Sequence, residues 1–508
     1  MSRAGLQRAA AFAGPALLAP LLVLVSTRRD GLGLSPDSVA YLAAADGVAS
    51  GHGVVGLDGR PQSLYAPGLS WLLALPAHGG FAVGAARALN LVCLAAVVLG
   101  LGWVLDRYVR RAVAVTAAGA AAVSAPLLAV HGWLWSEPLY ILLSAVLLAL
   151  LGRIAATGRA PARWVVAAGL VAAAATLVRY AGVSLLPVAV AVLLLRPVPW
   201  PQRIRAGILF GVAYAVPVGG WLLRNVALTG DPSGERVANA LSVRDVLTGG
   251  VTTVARWLTP GDLSLDARLW STALLVAGVA ALAVAARRAG PADPRAAVLG
   301  VAAGAVVLSF AVLVAMTAGA NVNVLGLRLL SPLVVPLVAA LAVSADLVLD
   351  RLPRPGRLLC AAAMVGVAAW CLLPATVRQV SAAGEDALSF TRGPWQSADS
   401  RDLVAAVPSG ATVVSDDPWG VWFLTGRAVS ESPREHYHAS DRVPPHDLDA
   451  LRAAVRAGPT YLVWFDRPAS DYHLTPADLR DDVELTAVGR TDVGAVYRVT
   501  ATAGPRPT

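Results

Sequence analysis

The sequence predicts a polytopic α-helical membrane protein with a small α/β domain at its C-terminal end, and three observations carry that prediction. The 508 residues are 56% apolar and only 14% charged, with a mean hydropathy of +0.64. The apolar residues fall in blocks of about 15 to 23, the length that crosses the hydrocarbon core of a bilayer. After Pro374 the charge density returns to that of a water-exposed domain.

The blocks predict about eleven spans, near residues 10–26, 83–105, 112–130, 138–152, 164–178, 181–195, 204–223, 270–286, 296–316, 329–349 and 357–374. The chain has no lysine, so orientation rests on arginine. Arg3 and Arg8 precede the first span, and the connections holding Arg107/Arg110/Arg111, Arg153/Arg159/Arg163, Arg196/Arg203/Arg205, Arg287/Arg288/Arg295 and Arg351/Arg354/Arg357 alternate with arginine-poorer turns. Basic connections mark the cytoplasmic side, so the N-terminus is expected inside, with the Asp37 stretch and everything after residue 374 outside. Arg28 and Arg29 break the rule. The net charge of +9 then reflects an inner collar, not a nucleic-acid footprint. No small-residue cleavage site follows the first span, which reads as a retained helix. Cys93, Cys360 and Cys371 fall inside spans and read as buried thiols, without a disulfide framework or metal cluster.

In chain order, the first outer loop (27–82) opens a helix at Pro36-Asp37, since proline cannot continue a helix from before it and aspartate suits a helix start. Asp37 is therefore either a helix cap or a site carboxylate, with Tyr41 one turn further on the same side. A turn-rich GLDGRPQSLY follows, then an apolar run at 66–77 that suits an interfacial helix anchored by Tyr65 and Trp71. The third span ends in AVHGWLWSEPLY, crowding His131, Trp133, Trp135, Ser136 and Glu137 at the outer interface. Tryptophan is expected at that depth on physical grounds alone. A carboxylate beginning a membrane helix is different, because it needs helix-start N–H groups, a partner or water.

Arg179, in LVRYAG, is a lone charge between two short apolar runs, either snorkelling to the interface or facing a polar cavity. GWLLRNVALTGDPSGER places Arg224, Asn225 and Arg236 outside, and RDVLTGGVTTVARWL is amphipathic enough to lie on the membrane or fold over a site. Arg328, in ANVNVLGLRLLSPLVVPL, enters the tenth span from outside.

The segment 376–508 reads as the α/β domain: a helix in SADSRDLVAAVPSG, buried strands in ATVVSDD and TYLVWFD, a terminal pair in VELTAVGR and GAVYRVT, and a frayed ATAGPRPT. His436 and His438 match no metal-ligand spacing and read as a surface loop. The chain shows no internal repeat, phosphate-binding loop, dinucleotide fingerprint or serine-hydrolase elbow. The outer face thus collects Asp37, His131, Glu137, Arg179, Arg224, Arg236 and Arg328 at the ends of different helices. Two carboxylates facing several arginines suit a chemistry that deprotonates one group while stabilising phosphate charge.

With those residues placed, the chain resembles the GT-C superfamily of membrane glycosyltransferases, nearest the bacterial protein O-mannosyltransferase and aminoarabinose lipid A transferase branch. The resemblance covers residues 10 to 375 and rests on PDSVAYLAAADGVASGHG, SLYAPGLSWLLALPA, WSEPLY, VRYAG, WLLRNVALTGDPSGER and LRLLSPLVVP in that order. It implies inverting transfer of a sugar from a polyprenyl-phosphate donor to a glycan, lipid or protein acceptor of the cell envelope, outside the cytoplasmic membrane. Carried over, Asp37 matches the first-loop acid acting as general base or acceptor-orienting group, Glu137 a second acidic residue, and Arg328, with Arg179, Arg224 and Arg236, the donor-phosphate ligands; Tyr41, Tyr65 and His131 would line the substrate. A single Asp stands before Ser38 where some relatives have an acidic pair, so no metal or other cofactor is expected. A transporter or lipid flippase is the alternative, but it favours half-helices broken at midplane and internal symmetry, which the sequence lacks.

Overall fold

The computed structural model describes residues 10–259, 263–288, 293–320, 325–382, 389–466 and 472–502. Arg3, Arg8, residues 321–324 before Arg328 and the tail at 503–508 lie outside the described residues. Among the described residues, six helices are long and apolar enough to cross a membrane: Ala82–Leu105, Glu137–Thr157, Trp200–Thr229, Pro294–Ala318, Leu327–Asp350 and Arg354–Ala382. The pair Arg111–Ala122 and Ala125–His131, bent by 49°, makes a seventh if it is one span. Ala13–Ser26, Ala162–Val178 and Tyr180–Leu194 are shorter apolar helices, and Leu265–Arg288 lies where another span is expected. The stretch expected as a 15-residue span at 138–152 is a 21-residue helix, so it needs no thinning of the bilayer.

Inside, the bundle is held by aliphatic packing of the first helix against Ala82–Leu105 and Arg111–His131, with Phe12, Val23, Leu94 and Leu101 in one cluster. At its arginine-rich end, Asp346 is 2% exposed and receives Arg110 Nη1 at 3.0 Å and Arg295 Nη1 at 2.9 Å. Part of the expected basic collar is therefore paired, fastening three helix ends together.

The Pro36–Ala49 helix is capped by Ser35, whose hydroxyl accepts from Ser38 N while Ser38 reciprocates, a capping box with proline in the first turn. Asp37 is therefore not the cap, and its carboxylate is available for other partners. This helix is buried on nearly every side. The following Gly68–His78 helix packs along it and leaves Trp71 44% exposed, as an interfacial anchor should be. Tyr65 does not share that role; its hydroxyl points to Asp37.

After residue 389 comes a five-stranded sheet in the order β2-β1-β3-β5-β4: β1 Thr412–Ser415, β2 Ser430–Glu431, β3 Thr460–Phe465, β4 Val483–Thr491 and β5 Gly494–Ala501. β1 runs parallel to β2 and β3, while β5 is antiparallel to β3 and β4. Four strands coincide with the sequence expectation; two-residue β2 is too short to leave a pattern. The sheet domain shares one apolar cluster with the first outer loop, in which Leu32, Leu34, Val39 and Leu42 meet Phe390, Trp395, Phe465 and Val496. Phe390 N donates to Leu34 O at 3.0 Å, Leu34 N to Ser389 Oγ at 2.9 Å, and Arg392 pairs with Asp30 at 3.0 Å.

Candidate active site

Four charged side chains from four separate parts of the chain converge above the bundle. Glu137 is the first residue of its helix, where the unpaired N–H groups and the helix dipole favour a negative charge. It is 0% exposed, and one oxygen, Oε1, receives both Arg328 Nε at 2.5 Å and Arg179 Nη1 at 2.9 Å. Arg328 also spans to the first outer loop, with Nη1 2.6 Å from Asp37 Oδ2. Tyr65 OH donates to the other Asp37 oxygen at 3.0 Å. One guanidinium thus links the carboxylates of residues 37 and 137, and the four charges sum to zero.

Local structure explains each placement. Arg179 occupies an extended residue (φ −155°, ψ 124°) between the Ala162–Val178 helix and a 3-10 turn at Tyr180–Leu185, and this break turns it inward instead of letting it snorkel. The turn folds back tightly at Gly182, where a Cβ would lie 2.6 Å from Thr176 N. Arg179 Nη1 also reaches Ser136 Oγ at 3.3 Å, and Tyr41 OH donates to that same hydroxyl at 3.0 Å. Arg328 lies over the Trp135 ring, its Cζ 4.3 Å from the centroid, and Trp135 Nε1 donates to the capping Ser35 Oγ at 2.7 Å. Trp135 and Ser136 were therefore undervalued by sequence reasoning: interface tryptophans are expected anyway, and nothing in the sequence signals stacking.

Burial alone would raise the Asp37 carboxyl, but Arg328, with Arg179 and the Tyr65 hydroxyl, outweighs it and holds Asp37 below the usual carboxylate range. Burial and then the Asp37 charge push the Tyr41 phenol up to about 12 and Tyr65 well above its ordinary value. Asp37 is thus an anion, and the tyrosines are neutral donors.

Three expected site residues are engaged elsewhere. Arg224 donates through Nη1 to Gln62 O at 2.9 Å and through Nη2 to Val54 O at 3.0 Å. Arg236 Nη2 reaches Leu64 O at 3.2 Å and Ser233 O at 3.1 Å. These arginines, with Tyr180 OH on Ser63 O at 2.9 Å, grip the backbone that leads to Tyr65. His131 is 0% exposed with Nδ1 2.7 Å from Leu127 O, so it lies beneath the site and does not line it. Among the described residues no group of three or more His, Cys, Asp or Glu forms a metal-ligand set, and a guanidinium joins Asp37 to Glu137.

No protein-family model matches the sequence, and no curated protein matches it. Solved structures do. ArnT from Cupriavidus metallidurans in the apo state is 14% identical, with a TM-score of 0.59 over 96% of this chain and 97% of that one. The same protein bound to undecaprenyl phosphate is 15% identical, also at 0.59, over 99% of this chain and 100% of that one. The chain has a GT-C fold. The GT-C likeness extends beyond residues 10–375 to nearly the whole chain, so the C-terminal sheet belongs to it as well as the helices.

Proposed function

We propose that this GT-C protein is a glycosyltransferase that moves a sugar from a polyprenyl-phosphate donor to an acceptor hydroxyl on the outer face of the cytoplasmic membrane, with inversion and without a metal. The observation that carries the reading is the meeting of Asp37 with Arg328 and Arg179 at helix ends, where a lipid tail can stay in the bilayer while its phosphosugar reaches the carboxylate. The ArnT structure with undecaprenyl phosphate supports a lipid-phosphate ligand for this fold. An eleven-span path, with the N-terminus inside, puts the site and the sheet domain outside.

In the proposed reaction the acceptor oxygen attacks the anomeric carbon, the bond from that carbon to the phosphate oxygen breaks, and its electron pair leaves with the polyprenyl phosphate. Asp37 takes the hydroxyl proton, a contribution of about 10²- to 10⁴-fold for a well-placed base. Arg328 and Arg179 stabilise the charge that grows on the leaving phosphate. Glu137, expected as a second catalytic carboxylate, is sealed behind both arginines and acts as a positioning residue. Tyr65 orients Asp37; Arg224 and Arg236 hold the loop that carries Tyr65.

The test is purified protein in lipid nanodiscs with a radiolabelled polyprenyl-phosphate sugar and an envelope extract as acceptor. Label leaving the lipid for the acceptor supports the reading. Label crossing a sealed vesicle with its sugar-phosphate bond intact identifies a flippase instead.

A further inference from the structure

The interactions of Arg328 leave it without a free edge for a phosphate. Nε is on Glu137, Nη1 is on Asp37, Nη2 is buried without a partner, and the Trp135 ring covers one face of the guanidinium. A side-on hold on a phosphate takes two parallel N–H donors from one edge of the fork, so a carboxylate has to yield. The two are not equivalent. Glu137 is 0% exposed and its Oε2 has no partner, so giving up Arg328 would leave a fully buried carboxylate on Arg179 alone, with no water to make up the loss. Asp37 is 30% exposed and keeps the Tyr65 hydroxyl if Arg328 turns away.

Resting on the donor reading above, we infer that a lipid phosphate and Asp37 compete for Arg328, so that loading the donor is the event that releases the base. The pair of Arg328 with Asp37 is a latch. Closed, it leaves Asp37 bound to a cation and unable to accept a proton from a hydroxyl. When the phosphate takes the guanidinium, Asp37 is freed beside the loaded sugar, and the acceptor is deprotonated only after the donor is seated. Proton acceptance thereby follows donor binding in a fixed order.

Competition has a thermodynamic signature, because a ligand that must displace an internal partner binds more tightly once that partner is removed. Undecaprenyl phosphate serves as the probe, titrated into the full-length protein in nanodiscs. Asp37→Asn is expected to lower its Kd by about tenfold, the coupling typical of a close charge pair, while transfer is lost. In an Arg328→Gln background the same Asp37→Asn change is expected to alter Kd by no more than about twofold, because the contested cation is gone. Tyr65→Phe, which touches Asp37 but not Arg328, is expected to leave Kd within about twofold. Each variant is checked by its melting temperature, and Asp37→Ser replaces Asp37→Asn if the latter does not fold.

A gain of equal size with and without Arg328 would mean plain repulsion between Asp37 and the phosphate, and would overturn the latch; so would no gain at all. Either result, with transfer by the wild type intact, leaves the glycosyltransferase reading standing. A wild type that neither binds undecaprenyl phosphate nor transfers sugar brings down both.

Discussion

Replacing Glu137 with glutamine separates a positioning carboxylate from a proton-transferring one. The change preserves shape and one acceptor oxygen but removes the charge that two guanidiniums share on Oε1. Removing one partner of a buried pair typically costs about 3–5 kcal/mol. Arg179 and Arg328 remain 15% and 27% exposed, and Arg328 keeps Asp37, so water and that second carboxylate reduce the cost here to about 2 kcal/mol. A loss of that size lowers the melting temperature by a few degrees in a chain this long. The kinetic effect should be larger than the structural one, because both phosphate-directed cations lose their anchor. We expect the donor KM to rise and kcat to fall, with kcat/KM down by about 10²-fold, the scale seen when a preorganised charge-stabilising group is lost. The assay is initial-rate transfer in nanodiscs across donor concentration and pH, beside thermal unfolding. The pH profile of kcat should keep its shape, since Asp37 still takes the proton. A lost limb in that profile would make Glu137 an acid or base, and unchanged KM and kcat would remove it from the site.

Asp37→Asn should reduce transfer by about 10²- to 10⁴-fold, and turnover within a few-fold of wild type would dismiss Asp37 as the base. Because the Asp37 pKa is lowered on folding, its contribution to stability is present above the unfolded value near 4 and is lost as pH falls through the lower folded value; acid titration of melting should therefore be shallower in Asp37→Asn, and equal slopes would contradict the ion pair. Gly182→Ala forces a Cβ to 2.6 Å from Thr176 N and should destabilise by about 1–3 kcal/mol while weakening donor use through Arg179; a wild-type melting curve would show that the turn relaxes. Prolonged dialysis against a chelator should leave transfer unchanged, and a loss restored by added magnesium or manganese would refute metal-independent catalysis.

How much of this could be read in advance depended on where each residue's partner lies. Apolar blocks announce helices, so the helical stretches were legible. The sides of the membrane were predicted from arginine spacing, which also grouped Asp37, Glu137, Arg179 and Arg328. That spacing could not separate Arg179 and Arg328 from Arg224 and Arg236. Arg179, Arg224 and Arg328 sit at or near helix ends and Arg236 in the connection after Thr229, and the difference is that Arg224 and Arg236 meet carbonyl oxygens of Val54, Gln62 and Leu64, which every residue type carries alike. His131 looked like a site residue for the same reason, since an interface position does not disclose which way a ring is turned. That Asp37 is not the helix cap follows from Ser35 and Ser38, a short motif the aspartate had overshadowed. The boundary near residue 375 was real in composition but not in packing, because the cluster from Leu32 to Leu42 finishes on Phe390 and Phe465.

That shared packing bears on how the protein is made. Leu34 waits for Ser389, 355 positions later, and at ribosomal speeds of about 5–20 residues per second the gap lasts roughly 20 to 70 seconds. For that interval the helix bearing Asp37 is already synthesised, with an apolar flank uncovered. Folding of the Asp37 loop therefore ends, and does not begin, with the sheet, so a nascent chain halted before the sheet is translated would hold that loop without its apolar cover.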